Sequence, residues 1–547
     1  MTPEELVEAI RAALTAAVEA GDLTVEVPAE IRVERPKAKG HGDWTTNVAM
    51  QLAKPAGMKP RDVATAIAAR LEQAEGVASV KVAGPGFLNI TLEAASAGAL
   101  ARTIVEAGAD YGRNDAMAGH VVNLEFISAN PTGPLHIGHT RWAALGDSMR
   151  RLLAASGADV TAEYYINDAG AQMDNFGASV LARAKGEPTP EGGYPGAYVD
   201  DLAATALEQR PDLLELPADE ALATARQLAY EAQLADIRST LEDFGVTFDV
   251  WFSERTLHDG GAVEQAIARL REQGHVDDRD GAVWLRTTDF GDDKDRVLVR
   301  ADGVPTYFAA DAAYYLSKKD RGFPEKIYLL GADHHGYVSR LKAIAACAGD
   351  DPAKNIEIRI GQLVNLDGAK LSKRAGNIVE LRDLISWIGS DAVRYSLARY
   401  PADSPLSLDG EELRQQTNDN PVFYVQYAHA RTFNVARLAA EDGVRREDAF
   451  DPGLLSHPTE ATLLATLGDF PRVVAHAAEL REPHRVARYL ETLAGHFHKW
   501  YDTCRVRPRS DEEITDTHRT RLWLNDATRQ VLANGLDLLG VSAPERM

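Results

Sequence analysis

Cysteine is almost absent. Only Cys347 and Cys504 occur in 547 residues, far apart in sequence. A disulfide framework and a cysteine-rich zinc site are both excluded. No stretch of about 20 uninterrupted apolar residues occurs, so no helical membrane span is expected. The opening MTPEELVEAIRAALTAAVEAGD has acids early and no cationic leader, so it reads as an amphipathic helix and not a signal peptide. Positive charge is in deficit: 59 Lys and Arg against 82 Asp and Glu give a net charge of −23. A nucleic-acid partner would therefore be met by a local basic surface and not by the average field. No GxxxxGK[ST], no HExxH, no internal repeat and no low-complexity tract is present.

What is present is apolar content of 45%, enough for sizeable cores in a chain whose length suggests three or four domains. Residues 1–115 read as a small α+β unit. Helices are expected over 4–20, 45–52 and 60–71, with a β-like run LTVEVPAEIRVERP and two short strands around Gly84-Pro85-Gly86. At 121–127, VVNLEFI suits a buried parallel strand. A loop, a helix near 137–156 and a strand in ADVTAEYYIND follow, the β-loop-α-β opening of a nucleotide-binding α/β domain. The rhythm returns as KIYLLG (strand), GYVSRLKAIAACA (helix) and IEIRIGQLVNL (strand), after an insertion near 186–300. From 420 onward the 3- and 4-residue apolar spacing predicts helices near 421–440, 459–478, 484–505 and 517–538.

The loop after the first parallel strand reads SANPTGPLHIGHTR, with His136 and His139 around Ile137-Gly138. Two histidines at this spacing fit a metal site, a phosphate site or plain helix capping. Zinc would need further ligands at matched spacing, which are lacking. A helix N-terminus with outward N–H groups, a glycine for close approach and two imidazole donors suits ATP phosphates. Some 230 residues later comes GAKLSKRAGN, whose Lys370 and Lys373 sit on a glycine-flanked stretch. Two cations there can clamp phosphates in a transition state.

With these two motifs the chain resembles the class I aminoacyl-tRNA synthetases, whose HIGH and KMSKS motifs PLHIGH and KLSKR match. Nucleotidylyltransferases carry a related HxGH but lack the second motif, and a cysteinyl enzyme would need the excluded zinc site. An RNA-binding paralogue without catalysis would not need both histidines with Tyr307 and Asp311. The stretches YYINDAGAQ, YPGAYVDDLA, DGVPTYFAADAAYYL, GADHHGYVSRLKA, NPVFYVQYAHAR and LLGVSAPERM extend the resemblance nearly end to end, to the arginyl-tRNA synthetases. KLSKR keeps both lysines, where many members of that family have a degenerate motif.

The resemblance implies a multidomain α/β protein. A Rossmann-like catalytic domain over 116–405 would lie between an N-terminal additional domain (1–115) that contacts the tRNA elbow and an all-α anticodon-binding domain (406–547). The implied activity is ATP-dependent attachment of L-arginine to tRNA(Arg) through an arginyl-adenylate, with Mg2+ accompanying ATP and no structural zinc. A cytoplasmic monomer is expected. The implied catalytic residues are His136, His139, Lys370 and Lys373, and Pro131, Gly133, Gly138 and Ser372 join them in binding ATP. Glu125 would meet the α-ammonium of arginine, Asn130 its carboxylate end, and Ser128 and His334 would line the pocket.

Some of this is readable from the residues themselves. A guanidinium wants a carboxylate and planar partners. Tyr307 and Asp311 are four apart in TYFAADAAYY and share a face if that stretch is helical. Phe87 and Asn89, two apart on a strand, suit an unpaired nucleotide or, equally, a core and a turn. Tyr424, Tyr427, His429 and Arg431 lie along one helix, and Trp500 stands near Arg505 in HFHKWYDTCRVRPR. Aromatics interleaved with cations fit a single-stranded RNA loop, and helix-core packing is the other reading for some of them.

Overall fold

The computed structural model describes residues 1, 3–36, 41–367, 379–509 and 511–547. The first unit is held by its own core, from Leu6 to Leu92. Its opening helix Pro3–Glu19 buries Leu6, Ile10, Ala13, Leu14 and Ala17, one stripe at helical period. Strands β1 (Trp44–Thr46), β2 (Val77–Ala83) and β3 (Phe87–Leu92) form an antiparallel sheet in the order β1-β3-β2. Two helices, Val48–Ala56 and Pro60–Leu71, pack on it. The run LTVEVPAEIRVERP is not a strand. Only Glu34 bridges to Thr45, while the Pro28 and Ala29 carbonyls are taken by the Arg11 guanidinium at 2.8 and 3.0 Å. Pro28 and Pro36 also lack the N–H a ladder needs. Helix Ala94–Ala107 leaves this unit: Leu100, Ala101 and Ile104 join the core of the C-terminal helices.

The central sheet starts at β4 (Val121–Glu125) and β5 (Asp159–Ile166), followed by β6 (Val250–Ser253). A small antiparallel sheet, β7 (Val276–Arg279), β8 (Ala282–Leu285) and β9 (Arg296–Val299), is inserted before β10 (Glu325–Gly331) and β11 (Ile356–Gly361). The order is β11-β10-β4-β5-β6 and every pair is parallel. The first strand is therefore central: β5 and β6 are added on one side of it and β10 and β11 on the other, so the strand order reverses between β4 and β10. At such a point a crevice opens beyond the strands' C-terminal ends.

The stretch IEIRIGQLVNL is two strands and not one. β11 ends at Gly361, and β12 (Val364–Asp367) pairs with β13 (Leu406–Asp409) in a separate sheet. The break has a steric and a polar cause. Trp142 packs on Gly361 so closely that a Cβ there would lie 2.8 Å from its ring. Arg141 draws the Gln362, Ser404 and Pro401 carbonyls together at 3.0, 2.7 and 2.6 Å.

The C-terminal helices are Pro421–Glu441, Pro458–Gly468, Phe470–Leu480, His484–Thr503 and Asp516–Leu538. The helix expected near 459–478 is split in two because Pro471 has no N–H to continue the ladder and starts a new helix instead. After the last helix the chain tucks under the long helix Ile137–Ala155 that follows β4. Asp147 on that helix is fully buried and accepts from Arg394 at 2.6 Å and from Arg150 and Arg151 at 2.8 Å. Arg394 also donates to the carbonyls of Leu539 and Phe244. Burial opposes the charge on Asp147, but the three guanidiniums outweigh it and hold the carboxyl below its ordinary value. No described helix is long and apolar enough to cross a membrane.

Candidate active site

His136 is the N-cap of helix Ile137–Ala155, with extended backbone angles. Its Nδ1 accepts from the Gly138 N–H at 3.1 Å, and the His139 Nδ1 accepts from the His136 N–H at 3.4 Å. This is a reciprocal capping box made by two histidines, their rings 4.0 Å apart. Each Nδ1 is an acceptor, so each ring carries its proton on Nε2. Burial lowers the pKa of His136; burial and then the His136 ring lower that of His139 to about 3. Two neutral imidazoles, each with one N–H left to donate, therefore stand at a helix N-terminus. Gly138 leaves room for the His136 ring, which a Cβ here would approach to 2.9 Å.

The residues just after the second motif are fastened to this loop. Ile137 donates its N–H to the Val379 carbonyl at 3.0 Å, and Leu381 donates to the Leu135 carbonyl at 2.8 Å. Lys370, Ser372 and Lys373 lie outside the described residues. Pro131 is buried in the loop before the histidines, and Gly133 lies under Tyr198, whose hydroxyl donates to the Thr132 carbonyl at 2.9 Å.

The same loop begins with an unusual turn. Ile127 and Ser128 have φ of 66° and 44°, a region L-residues seldom adopt. The Ser128 hydroxyl donates to Glu125 Oε1 at 3.1 Å and accepts from the Tyr165 N–H at 3.1 Å. Glu125, at the C-terminal end of β4, is nearly buried and also receives Lys318 Nζ at 2.5 Å. Asn130 accepts from Asn167 Nδ2 at 3.2 Å.

Helix Tyr307–Asp320 forms as the residue spacing requires, capped by the Thr306 hydroxyl, which accepts from the Ala309 N–H. Tyr307 at its first turn is 62% exposed, and Asp311 is one turn deeper and partly buried. Asp311 makes no ion pair among the described residues. Its carboxyl is pushed up to about 7 by burial and then by the negative charges of Glu254 and Glu125, against Arg340. Burial also raises Glu254, against hydrogen bonds from Tyr165 and His258. A cavity of about 750 Å³ opens beside this helix, lined by Tyr307, Ala310, Asp168, Glu254, Arg255 and His258 among others. Asp168 anchors its wall, accepting from Tyr230, Ser253 and Arg255. His334 is exposed in a 3-10 turn directly after β10, its ring 5.6 Å from that of Tyr337.

Sequence reasoning missed Lys318, Tyr165, Asp168 and Glu254. For Glu254 a signal existed: it directly follows the apolar strand VWFS, just as Glu125 closes VVNLE, and strand C-termini line the crevice. Lys318 gave none, since a lysine in YYLSKKD reads as a solvated helix face.

Of the residues expected to face RNA, three are buried. Trp500 is wholly enclosed in the C-terminal core. His429 is buried with Nδ1 on the Pro544 carbonyl at 2.9 Å, so it ties down the C-terminus. Asn89 is on the same face of β3 as Phe87 but is covered by His41, which its amide meets at 3.0 Å. Aromatic content misled in the first two cases because a ring on an amphipathic helix serves the core as readily as a surface. Phe87 stays 36% exposed beside Arg32, Asn47 and Gln51. Arg431 donates to the Tyr427 hydroxyl at 2.8 Å and lies over the rings of Tyr427 and the exposed Tyr501. Tyr424 sits beside His498, and Arg505 is exposed. Among the described residues no His, Cys, Asp and Glu group is arranged to hold a metal ion.

Three family models match the chain: "Arginyl tRNA synthetase N terminal domain" over 4–92, "tRNA synthetases class I (R), catalytic domain" over 216–396 and "DALR anticodon binding domain" over 425–547. The arginine–tRNA ligase of Renibacterium salmoninarum is 70% identical over 550 residues, and that of Micrococcus luteus 65% over 557 residues. Both alignments cover the whole of both chains. The arginyl-tRNA synthetase structure of Thermus thermophilus superposes with a TM-score of 0.76 at 25% identity, again over the whole of both chains.

Proposed function

The chain belongs to the arginyl-tRNA synthetase family and attaches arginine to tRNA at the expense of ATP, and from that premise we propose how its residues divide the work. One observation carries the assignment: a single loop leaving β4 holds Glu125 and Ser128 at its start and the two capped histidines at its end. The amino acid and ATP are thereby brought to adjacent ends of one segment, as attack of a carboxylate on the α-phosphate requires.

Arginine enters with its guanidinium toward Asp311 and Tyr307, its α-ammonium at Glu125 and its carboxylate beside Asn130. The Nε2–H groups of His136 and His139 donate to phosphate oxygens as negative charge develops there, and neutral rings do so without exchanging protons. Lys370 and Lys373 neutralise the departing pyrophosphate, Mg2+ accompanies ATP as part of the substrate, and Pro131, Gly133, Gly138 and Ser372 border the nucleotide. The products are arginyl-adenylate and pyrophosphate. The terminal ribose 2′-hydroxyl of tRNA then takes the arginyl group and AMP leaves. Arginine-dependent pyrophosphate exchange into ATP, assayed with and without tRNA, tests this. Exchange with arginine alone among the amino acids is expected, and exchange with none under either condition overturns it.

The tRNA lies across Phe87 at one end and the Tyr427, Arg431 and Tyr501 surface at the other. Stacking on an exposed ring contributes about 1–3 kcal/mol per base. Tyr501→Ala is accordingly expected to raise KM for tRNA roughly tenfold with KM for arginine unchanged, as measured by steady-state aminoacylation. We further propose the division 1–115, 116–405 and 406–547 and a monomer acting in the cytoplasm; light scattering of the purified protein reads the mass.

A further inference from the structure

Helix Tyr307–Asp320 carries more than the guanidinium contacts. Tyr307, Asp311, Tyr314 and Lys318 are spaced four, three and four, so they line one face. The stripe runs from the exposed mouth at Tyr307 down to the floor of the sheet. Tyr314 donates its hydroxyl to Glu163 Oε1 at 2.5 Å. Arg321, the helix C-cap, grips the same carboxylate with two bonds of 2.6 and 2.9 Å. Lys318 has no exposed side-chain surface and lies over the rings of Tyr328 at 3.9 Å and Tyr314 at 4.5 Å. Its ammonium is delivered to Glu125 Oε2.

A buried lysine on a buried glutamate adds little to stability, since desolvation offsets the attraction. Its geometric consequence is larger. A carboxylate has about four lone-pair positions. Here Lys318 takes one on Oε2 and the Ser128 hydroxyl one on Oε1, which fixes the plane of the group and leaves acceptor positions on both oxygens. A buried carboxylate without such a partner rotates or takes up a proton, and either change spoils it as an ammonium receptor.

We propose that Lys318 is a positioning residue for amino-acid recognition. It holds the Glu125 carboxylate in the one orientation that receives the α-ammonium of arginine. One helix then sets both ends of the substrate: the guanidinium directly, through Asp311 and Tyr307, and the α-ammonium indirectly, through Lys318 and Glu125. The proposal rests on the reading that Glu125 meets the α-ammonium.

The test compares arginine with 5-guanidinopentanoic acid, which is arginine without its α-amino group. The ratio of the analogue's inhibition constant to the KM of arginine, measured on full-length enzyme with tRNA and ATP, reports recognition of the ammonium alone. Lys318→Met is expected to lower this ratio at least tenfold while the inhibition constant of the analogue stays within about twofold, because the guanidinium contacts are untouched. Lys318→Gln, which keeps a hydrogen-bond donor near Glu125, is expected to retain part of the ratio and carries the test if the methionine variant does not fold. Glu125→Gln serves as the reference and is expected to lose the ratio. A reference that loses the ratio while both Lys318 variants keep it overturns the proposal but leaves the role of Glu125 standing. A reference that keeps the ratio overturns the reading of Glu125 and the proposal with it. Parallel weakening of arginine and the analogue in the Lys318 variants marks a general loosening of the pocket and also overturns it.

Discussion

Asp311→Asn is expected to reduce kcat/KM for arginine by about a thousandfold, with KM carrying most of the loss. The change is nearly isosteric, so the helix and its cap are kept while the charge is removed. Truncating one partner of a buried, hydrogen-bonded charge pair costs about 2–5 kcal/mol, and a tenfold rate change is about 1.4 kcal/mol. Asp311 has no cation bonded to it among the described residues, and the acids Glu254 and Glu125 act on it more strongly than Arg340 does. That arrangement is costly when empty and is relieved by a cation. The same feature fixes the pH dependence. With the carboxyl pushed up to about 7, the empty pocket holds a proton there at lower pH, and arginine must displace it. KM for arginine is expected to rise about tenfold per unit below pH 7 and to level off above it. In the empty protein the sign is the reverse of the usual carboxylate. A folded-state pKa above the unfolded one means stability is lost as pH rises toward 7, and saturating arginine restores it. Melting curves at pH 6 and pH 8, with and without arginine, read this directly. A KM that is flat between pH 5.5 and 8 would contradict the assignment.

Gly540→Ala is expected to destabilise the protein by roughly 3–5 kcal/mol and to lower kcat as well. Gly540 has φ +65°, and a Cβ would lie 1.9 Å from Arg394 Nη2 and 2.5 Å from Cζ. The left-handed backbone alone costs about 1–2 kcal/mol for alanine. The remainder comes from Arg394, which is fully buried and bonded to Asp147, Phe244 and Leu539, so that a shift of its guanidinium breaks these bonds. Moving it strips Asp147 of its one fully buried partner. Asp147 is on the helix that His136 caps, so the displacement is carried toward the histidines. Gly21→Ala is the control: it has φ +78° with nothing within 4 Å of the added carbon, so it isolates the backbone cost. Thermal melting of the two variants should differ markedly, and equal melting temperatures would show that the packing around Arg394 contributes nothing.

Local physical chemistry made much of this molecule readable in advance. A run such as VVNLEFI suits a buried parallel strand, and the structure has one over Val121–Glu125; two histidines around Ile-Gly at its loop can cap the next helix, because both depend on neighbours in sequence. The spacing of Tyr307 and Asp311 implied a shared face for the same reason. The motifs around His136 and Lys370 reported chemistry, and Val379 and Leu381, which follow the second motif in sequence, are bonded to the first motif's loop.

What lay beyond reach depended on partners remote in sequence. Period alone did not separate Trp500 in the core from Tyr501 on the surface, since adjacent residues of a helix point about 100° apart and only the neighbouring helices choose the inner direction. Lys318 reads as a solvated cation until Glu125, almost two hundred residues earlier, is folded against it. The strand expected through residue 366 breaks at Gly361 because Trp142 and Arg141 arrive from another element. Element type, the helix caps and the identity of the reacting groups follow from residues within a turn or two of one another. Which side chains are buried, which charges are paired and how Asp311 comes to titrate near neutrality depend on desolvation and Coulomb terms between distant segments. Those terms exist only once the segments have packed.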